Sequence, residues 1–272
     1  MKYLFLSLIF FLTNQLNAQD FNEKMHSITY VFSGKYYNDW ESPRKEYTRL
    51  LVRNNKAIYQ SYNIMCLDSL KIKGLETSND RNKYFTFNNN TVKISNDTIY
   101  YSEVLGANEY RYKEILNLEW QLTPETKEML GYNCKKATVT YGGRSWTAWY
   151  ALDIPIPFGP YKFKGLPGLI VKMNDATKDY DFELYGYVSK EKKPLEKLYQ
   201  VEKDKIIEID HLKFNFLKYK YNSLTLREKA KFRNSARSGD IEFKQVDADG
   251  NEVRFRDNSK ISNLNFIELI KL

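Results

Sequence analysis

The chain has 272 residues, a formal net charge of +8 and 15% aromatic side chains, most of them tyrosine. Its basic residues alternate with acidic ones, as in the stretch 189–193, instead of forming a basic stripe. This pattern argues against a nucleic-acid partner and leaves attraction to an anionic membrane face as a weaker alternative. The length suits one large β domain or two small ones.

The N-terminus has the parts of a secretory signal. Lys2 supplies a positive charge, residues 4–12 form an apolar core, and the small Ala18 ends the segment. The core is too short to span a bilayer, which needs about 20 residues. We therefore expect a signal peptide at 1–18, a single mature domain at 19–272, and export to the periplasm or the periphery of the outer membrane. An N-terminal core strand is the alternative.

The two cysteines, Cys66 and Cys134, suit an oxidising compartment, and a single disulfide between them is the expected arrangement. The bridge would close a loop of about 68 residues and stabilise the fold by roughly 4 kcal/mol in the chain-entropy model. A reactive thiol at Cys134 is the alternative.

Short runs of alternating apolar and aromatic residues predict a mainly β (α+β) fold. Strands are expected at 27–33, 46–53, 56–64, 83–87, 91–95, 98–104, 118–122, 135–141, 144–152, 168–174 and 180–188. Turns are expected at Gly142-Gly143 and at 123–127, where one helical turn is also possible.

The last third of the chain differs in composition. Residues 190–205 are highly charged and predict a linker into a helix, and 225–234 has a helical pattern. A closing hairpin at 241–255 and a strand at 265–272 complete the predicted elements. We expect one domain, a single curved antiparallel sheet or half-barrel with a small helical segment towards the C-terminus.

Residues that could carry catalysis or bind a metal are sparse. The only histidines are His26 and His211, and they form no close ligand pair with the cysteines, so no metal and no cofactor is expected. A Cys134–His211 nucleophilic pair remains an alternative, because such partners need not be close in sequence. The acidic turn at 247–250 is better explained as a hairpin than as a calcium loop. Catalytic residues therefore stay unknown, and a non-enzymatic role is favoured.

The most specific stretch is 159–170, where three glycines and two prolines alternate with large apolar side chains. One interpretation is a buried connection with special backbone angles. The other is a binding lip. The candidate binding residues are then Arg144, Trp149, Tyr150 and Phe163.

The end of this stretch, Gly165-Leu166-Pro167-Gly168-Leu169-Ile170, resembles the hexapeptide for which the GLPGLI family of exported Bacteroidetes proteins is named. Upstream, 131–137 is similar to the family's Gly-Tyr-x-Cys-x-Lys-Ala element, and 143–150 is similar to its aromatic strand. The resemblance implies an envelope protein of uncharacterised function, associated with TonB-dependent outer-membrane receptor systems. The order of strands and loop is also similar to that of half-barrel lipoprotein carriers.

We therefore expect a non-enzymatic envelope protein. Its curved sheet would hold an apolar or peptide-like ligand under the 154–170 loop, or dock to an outer-membrane receptor or transporter. A secreted hydrolase or peptidase that uses Cys134 or distant carboxylates is the alternative.

Overall fold

The structure is a computed structural model that describes residues 24–36, 41–190, 206–225, 227–229 and 231–232. The predicted signal peptide, the body of the charged linker, and the predicted C-terminal hairpin and strand lie outside these residues. Among the described residues, no helix is both long enough and apolar enough to cross a membrane.

Residues 227–229 and 231–232 are helical, within the helix predicted at 225–234, and the elements whose bounds are fully described are twelve strands and three helices. They are β1 (Met25–Gly34), β2 (Arg44–Arg53), β3 (Lys56–Ser61), α1 (Tyr62–Ile72), α2 (Asp80–Lys83), β4 (Asn90–Ser95), β5 (Thr98–Leu105), β6 (Asn108–Ile115), β7 (Gln121–Met129), β8 (Tyr132–Tyr141), β9 (Arg144–Ala151), β10 (Leu169–Asp175), β11 (Tyr180–Lys190), β12 (Ile206–Glu208) and α3 (His211–Ser223).

All twelve strands belong to one sheet, in the order β12-β6-β5-β4-β3-β2-β1-β11-β10-β9-β8-β7. Two meanders, β1 to β6 and β7 to β11, are joined where β1 pairs with β11. The sheet is antiparallel except at one edge, where β12 pairs with β6 in parallel. The expectation of an antiparallel sheet is therefore corrected at this edge. Strand β12, which directly precedes α3, runs in the same direction as β6.

The topology requires the sheet to curl. Strands β6 and β7 follow each other in the chain but lie near opposite edges of the sheet. Because only residues 116–120 connect them, the end of β6 and the start of β7 can be at most about 20 Å apart. The predicted half-barrel is confirmed, since the open sheet wraps around a single core.

The inner face of the half-barrel carries this core. Ile28, Tyr30 and Phe32 of β1 alternate inwards and are buried. Phe214 and Leu217 of α3 belong to the same core cluster, so this helix packs on the inner side. On the outer face a smaller cluster joins Met65 of α1 to β2 and β3.

Most predicted strands are confirmed, but the region 56–127 differs from expectation. The strand expected at 56–64 ends at Ser61, whose hydroxyl accepts a hydrogen bond from the Asn63 amide at 3.3 Å and caps α1. The strand expected at 83–87 is instead the end of α2 and a loop. Strand β6 is not among the predicted strands. The turn expected at 123–127 lies within β7, where the pairing with β8 is irregular.

Candidate functional site

A cleft with a volume of about 530 Å³ opens at one end of the half-barrel. It is bounded by the start of β1, the turn between β2 and β3, and the loop after β9. Its lining residues are His26, Val52, Asn54, Asn55, Pro155, Ile156, Pro157 and Phe158. We call residues 155–158 the lip and residues 159–170 the plug.

The sheet register brings the first two walls of the cleft together. His26 of β1 lies opposite Val52 of β2, and the turn Asn54-Asn55 follows directly. Asn54 has a positive φ of 51°, a left-handed conformation that asparagine tolerates better than most residues. The turn therefore places two side-chain amides at the mouth of the cleft.

The lip forms the third wall. Pro155 and Pro157 are exposed, whereas Ile156 and Phe158 between and after them are buried in the core. The Gly165 amide donates to the Pro157 carbonyl at 2.8 Å, which fixes the lip against the plug. The prolines have no amide hydrogen, so the lip cannot extend the sheet at this point.

His26 is the titratable group of the cleft lining. It is only 2% exposed, its Nδ1 lies 2.9 Å from the Tyr187 hydroxyl, and the two rings stack with centroids 5.9 Å apart. Burial raises the pKa of Tyr187, which keeps its hydroxyl neutral. The His26 imidazole of the cleft wall is thus hydrogen-bonded to the Tyr187 phenol.

The plug passes from the lip into the core. Phe163, Leu166, Leu169 and Ile170 are buried, and the Tyr30 hydroxyl donates to the Ile170 carbonyl at 2.9 Å. The structural interpretation of the Gly/Pro segment is thus supported for the plug.

Two plug glycines meet different constraints. Gly165 has a φ of +98°, a backbone conformation that L side chains rarely adopt. At Gly168 an added Cβ would lie 2.1 Å from the Ala151 carbonyl oxygen. The non-glycine residue Tyr161 also has a positive φ, of 57°, which the sequence did not indicate.

The plug carries a fully buried charge at Lys162. Its ammonium lies 2.7 Å from the Glu114 carboxylate and donates to the Tyr112 hydroxyl at 2.6 Å and the Tyr141 hydroxyl at 3.2 Å. Aromatic rings surround it at 4.8–5.9 Å, namely those of Tyr101, Tyr112, Tyr141 and Tyr161. Paired charge and ring faces together make this burial tolerable.

Helix α3 packs over Lys162 and its partners Glu114 and Tyr112. His211 stacks on Tyr112 with centroids 4.2 Å apart, and its Nδ1 lies 3.6 Å from Glu114. Lys218 forms an ion pair with Glu103 at 2.6 Å. The helix is therefore held by charge as well as by the apolar contacts of Phe214.

The four binding residues expected from the sequence do not gather at the cleft. Arg144 lies at the opposite end of β9 from the lip, where it pairs with Asp175 at 2.7 Å and sits over the Tyr180 ring at 5.0 Å. Tyr150 and Phe163 are buried in the core, and Trp149 lies half-buried on the outer face.

The predicted disulfide between Cys66 and Cys134 is not formed, and both cysteines are free. Cys66 lies in α1, which packs on the outer face against β2 and β3. Cys134 faces the core from β8, which lies several strands away from β2 and β3 in the sheet. A bridge requires Cα atoms within about 7 Å, which this separation does not allow.

Burial raises the pKa of the Cys134 thiol, and Cys134 is inaccessible. Both properties disfavour a nucleophilic role.

Within the described ranges, no group of three or more His, Cys, Asp or Glu side chains could hold a metal ion. The residues that sequence reasoning missed are His26, Val52, Asn54 and Asn55. The Asn54-Asn55 pair between two predicted strands indicates a turn. No pattern in the sequence indicates the strand pairing that brings this turn to the lip, about 100 residues further along the chain.

Comparison with known proteins gives one family match. The model of the family described as "N-glycanase peptide, N-terminal domain" matches residues 46–215. This range contains most of the sheet, the lip, the plug and the beginning of α3. No curated protein matches the chain.

Among solved structures, that of PNGF-II in space group P21 aligns with a TM-score of 0.52 and 19% identity, over 73% of this chain and 34% of that one. The chain therefore spans about a third of PNGF-II, and the likeness concerns the fold alone. An uncharacterized conserved protein from Thermus thermophilus aligns at TM-score 0.38 and 9% identity, over 73% of this chain and 99% of that one. The LolA superfamily protein NE2245 from Nitrosomonas europaea aligns at 0.30 and 10%, over 69% and 94%. The last two similarities are too weak to support an argument.

Proposed function

The chain belongs to the N-glycanase peptide, N-terminal domain family, and we propose from this premise that it is a non-enzymatic binding module. The proposed ligand is an extended peptide segment held in the cleft between the lip, His26 and the Asn54-Asn55 turn. Because the family description refers to an N-glycanase, segments of glycoproteins are the first class of peptide to test.

The observation that carries the proposal is the chemistry of the cleft. Its volume of about 530 Å³ falls within the range of roughly 300–1,000 Å³ typical of ligand sites. The proline rings and Val52 supply apolar surface, and two asparagine amides supply both donors and acceptors. A peptide has one donor and one acceptor on the backbone of each residue other than proline, so it matches a wall of amides and apolar side chains whose described lining contains no Asp, Glu, Lys or Arg.

A non-enzymatic role is consistent with the position of the candidate nucleophile. Cys134 is fully buried in the core, and its thiol donates a hydrogen bond to the Tyr132 carbonyl at 3.4 Å. Among the described residues that line the cleft there is no carboxylate, so the hydrolase alternative would need a site elsewhere.

We also propose that the protein is exported to the cell envelope, as its resemblance to the GLPGLI family implies. The support is the N-terminal pattern of Lys2, the apolar core at 4–12 and Ala18, together with the hexapeptide 165–170. Docking to an outer-membrane receptor or transporter is compatible with this placement.

Direct binding of labelled peptides tests the proposal. A set of fluorescein-labelled octapeptides and glycopeptides from a protease digest of a denatured glycoprotein would be titrated with the purified protein and followed by fluorescence anisotropy. We expect saturable binding that Asn55→Trp weakens at least tenfold, because the indole fills the mouth of the cleft. The matched control is Ala107→Trp, in the exposed hairpin turn between β5 and β6, which should bind as the wild type does.

The proposal fails if no peptide saturates the wild-type protein, or if Asn55→Trp and Ala107→Trp bind equally well. Thermal unfolding of both variants must match that of the wild type, so that lost binding cannot be attributed to lost structure.

A further inference from the structure

We propose that the outer face of the sheet carries a carbohydrate-binding strip centred on Tyr47 and Tyr185. The strip is separate from the cleft, and the inference does not depend on peptide binding there.

The two tyrosines are unusually exposed for large aromatic side chains. Tyr47 of β2 is 47% exposed and Tyr185 of β11 is 67% exposed. Their ring centroids lie 4.9 Å apart at an interplanar angle of 65°, a favourable edge-to-face contact between the two rings. Strand β1 runs between β2 and β11, so the rings converge above it.

A β-bulge directs Tyr185 outwards. Along β1 the partner changes from Leu184 opposite Tyr30 to Gly186 opposite Thr29, which leaves Tyr185 as the extra residue. Bulges commonly redirect a side chain in this way. An added Cβ at Gly186 would meet no atom within 4 Å, so the surface beside the Tyr185 ring is open to a ligand.

Charged and aromatic side chains continue the strip across the next strands. Glu183 lies opposite Val31, Lys172 lies opposite Glu183, and Trp149 lies opposite Lys172. Lys172 is held by an ion pair with Asp181 at 2.7 Å and by a second with Glu183. Paired charges of this kind present hydrogen-bonding atoms at set positions.

This combination selects a chemical class of ligand. A pyranose ring has an apolar C–H face, which packs on an aromatic ring by dispersion, and a rim of hydroxyl groups, which hydrogen-bond to charged side chains. A protein partner would favour an interface core depleted of charged residues, and a lipid would require a continuous apolar surface. The strip runs from β2 to β9 across five neighbouring strands, about 19 Å, which suits an oligosaccharide better than a single sugar.

Saccharide titration of the full chain tests the inference. The probes are mannopentaose and N,N′,N″-triacetylchitotriose, followed by saturation-transfer NMR and isothermal calorimetry. We expect at least one probe to bind the wild-type protein. Tyr185→Ala should weaken binding at least tenfold, whereas Tyr185→Phe, which keeps the ring, should stay within threefold. The matched control is Phe85→Ala, since Phe85 is 62% exposed but lies outside the strip, and it should bind as the wild type does.

Binding of neither saccharide, or equal binding by Tyr185→Ala and the wild type, would overturn the inference. Failure here is distinguishable from failure of the cleft, because Asn55→Trp should leave saccharide binding unchanged. Capture of a protein through the strip, with no response to either saccharide, would equally count against it.

Discussion

The lip and the plug are neighbouring parts of one loop, yet they meet different environments, because two of the four lip residues are exposed whereas most of the plug is buried. The lip exposes Pro155 and Pro157 to the cleft, while the plug buries Leu166, Leu169 and the charged Lys162 in the core. Both parts contain two prolines beside large apolar residues, but only the plug contains glycines and lysines. Substitutions in the plug should therefore change stability, and substitutions around the lip should change binding.

The comparison also shows what burial demands of a loop. In the plug, polar groups are satisfied at short distances, such as the Gly159 amide to the Phe163 carbonyl at 2.8 Å and the Trp120 indole to the Lys164 carbonyl at 2.9 Å. Leaving such groups unpaired would cost about 1–3 kcal/mol each. In the lip only Pro155 and Pro157 are exposed, and substitutions at these two positions should disturb the packing less than substitutions in the plug.

The largest expected effect is at Gly168. In Gly168→Val the new Cβ would overlap the Ala151 carbonyl, a backbone atom that cannot move aside easily. We expect a loss of about 3 kcal/mol or more in the free energy of unfolding, measured by urea denaturation. Gly186→Val, where the space is open, should change stability by less than about 1 kcal/mol. Equal stability of the two variants would mean that the plug is not tightly packed.

Removal of the buried charge should have the next largest effect. Lys162→Ala removes the ammonium that pairs with Glu114 and leaves the space between the surrounding tyrosine rings empty. We therefore expect the free energy of unfolding to fall by about 3 kcal/mol. Lys164→Ala is the control two residues away, because its partner Asp97 is 89% exposed at 3.4 Å, and such pairs contribute about 1 kcal/mol or less. Chemical denaturation of both variants checks the difference, and similar losses would contradict the contrast between buried and exposed pairs.

A smaller loss is expected at Gly165. Its φ of +98° strains any other residue, but its Cβ would meet only Trp120 at 3.9 Å. Gly165→Val should therefore lose about 1–3 kcal/mol, visible as a lower melting temperature in circular dichroism. A larger loss than that of Gly168→Val would show that backbone angle, not close approach, governs the plug.

Thiol reactivity gives the smallest and most local signal. Cys134 lies opposite Ala151 in the sheet, beside the close approach of Gly168. Because burial raises its pKa, less thiolate is present at a given pH, and labelling with a disulfide reagent at pH 8 should modify Cys66 in the native protein and Cys134 only after unfolding. Native labelling of Cys134 would show that the plug opens, and the absence of any free thiol before reduction would restore the disulfide.

Sequence reasoning predicted best where partners are close in the chain. The hairpins β8–β9 and β10–β11 follow from local alternation and turn residues. The pairing of β1 with β11 joins residues more than 140 positions apart, and no local pattern specifies it. Since the cleft depends on where this pairing places the β2–β3 turn, its lining could not be deduced.

Charged residues limited the prediction of the core and the site. Arg144, a predicted binding residue, instead pairs with the buried Asp175, which lies 31 residues away in the chain, and no local pattern indicates this pair. The burial of Lys162 was not predicted, because lysine is almost never fully buried without a partner, and its partner Glu114 lies on a strand that was not predicted either. In both cases long-range ion pairing determines the environment.

Site-directed photo-crosslinking tests the central claim, that the cleft beside the lip is the binding site, most directly. A benzophenone amino acid would replace Asn55 at the cleft mouth and, in a second protein, Ala107 at the distant turn. After irradiation in envelope fractions, intact-mass and peptide mass spectrometry would identify the adducts. We expect peptide-bearing adducts at position 55 and none at position 107. Equal adducts at both positions, or none at position 55 in a correctly folded protein, would contradict it.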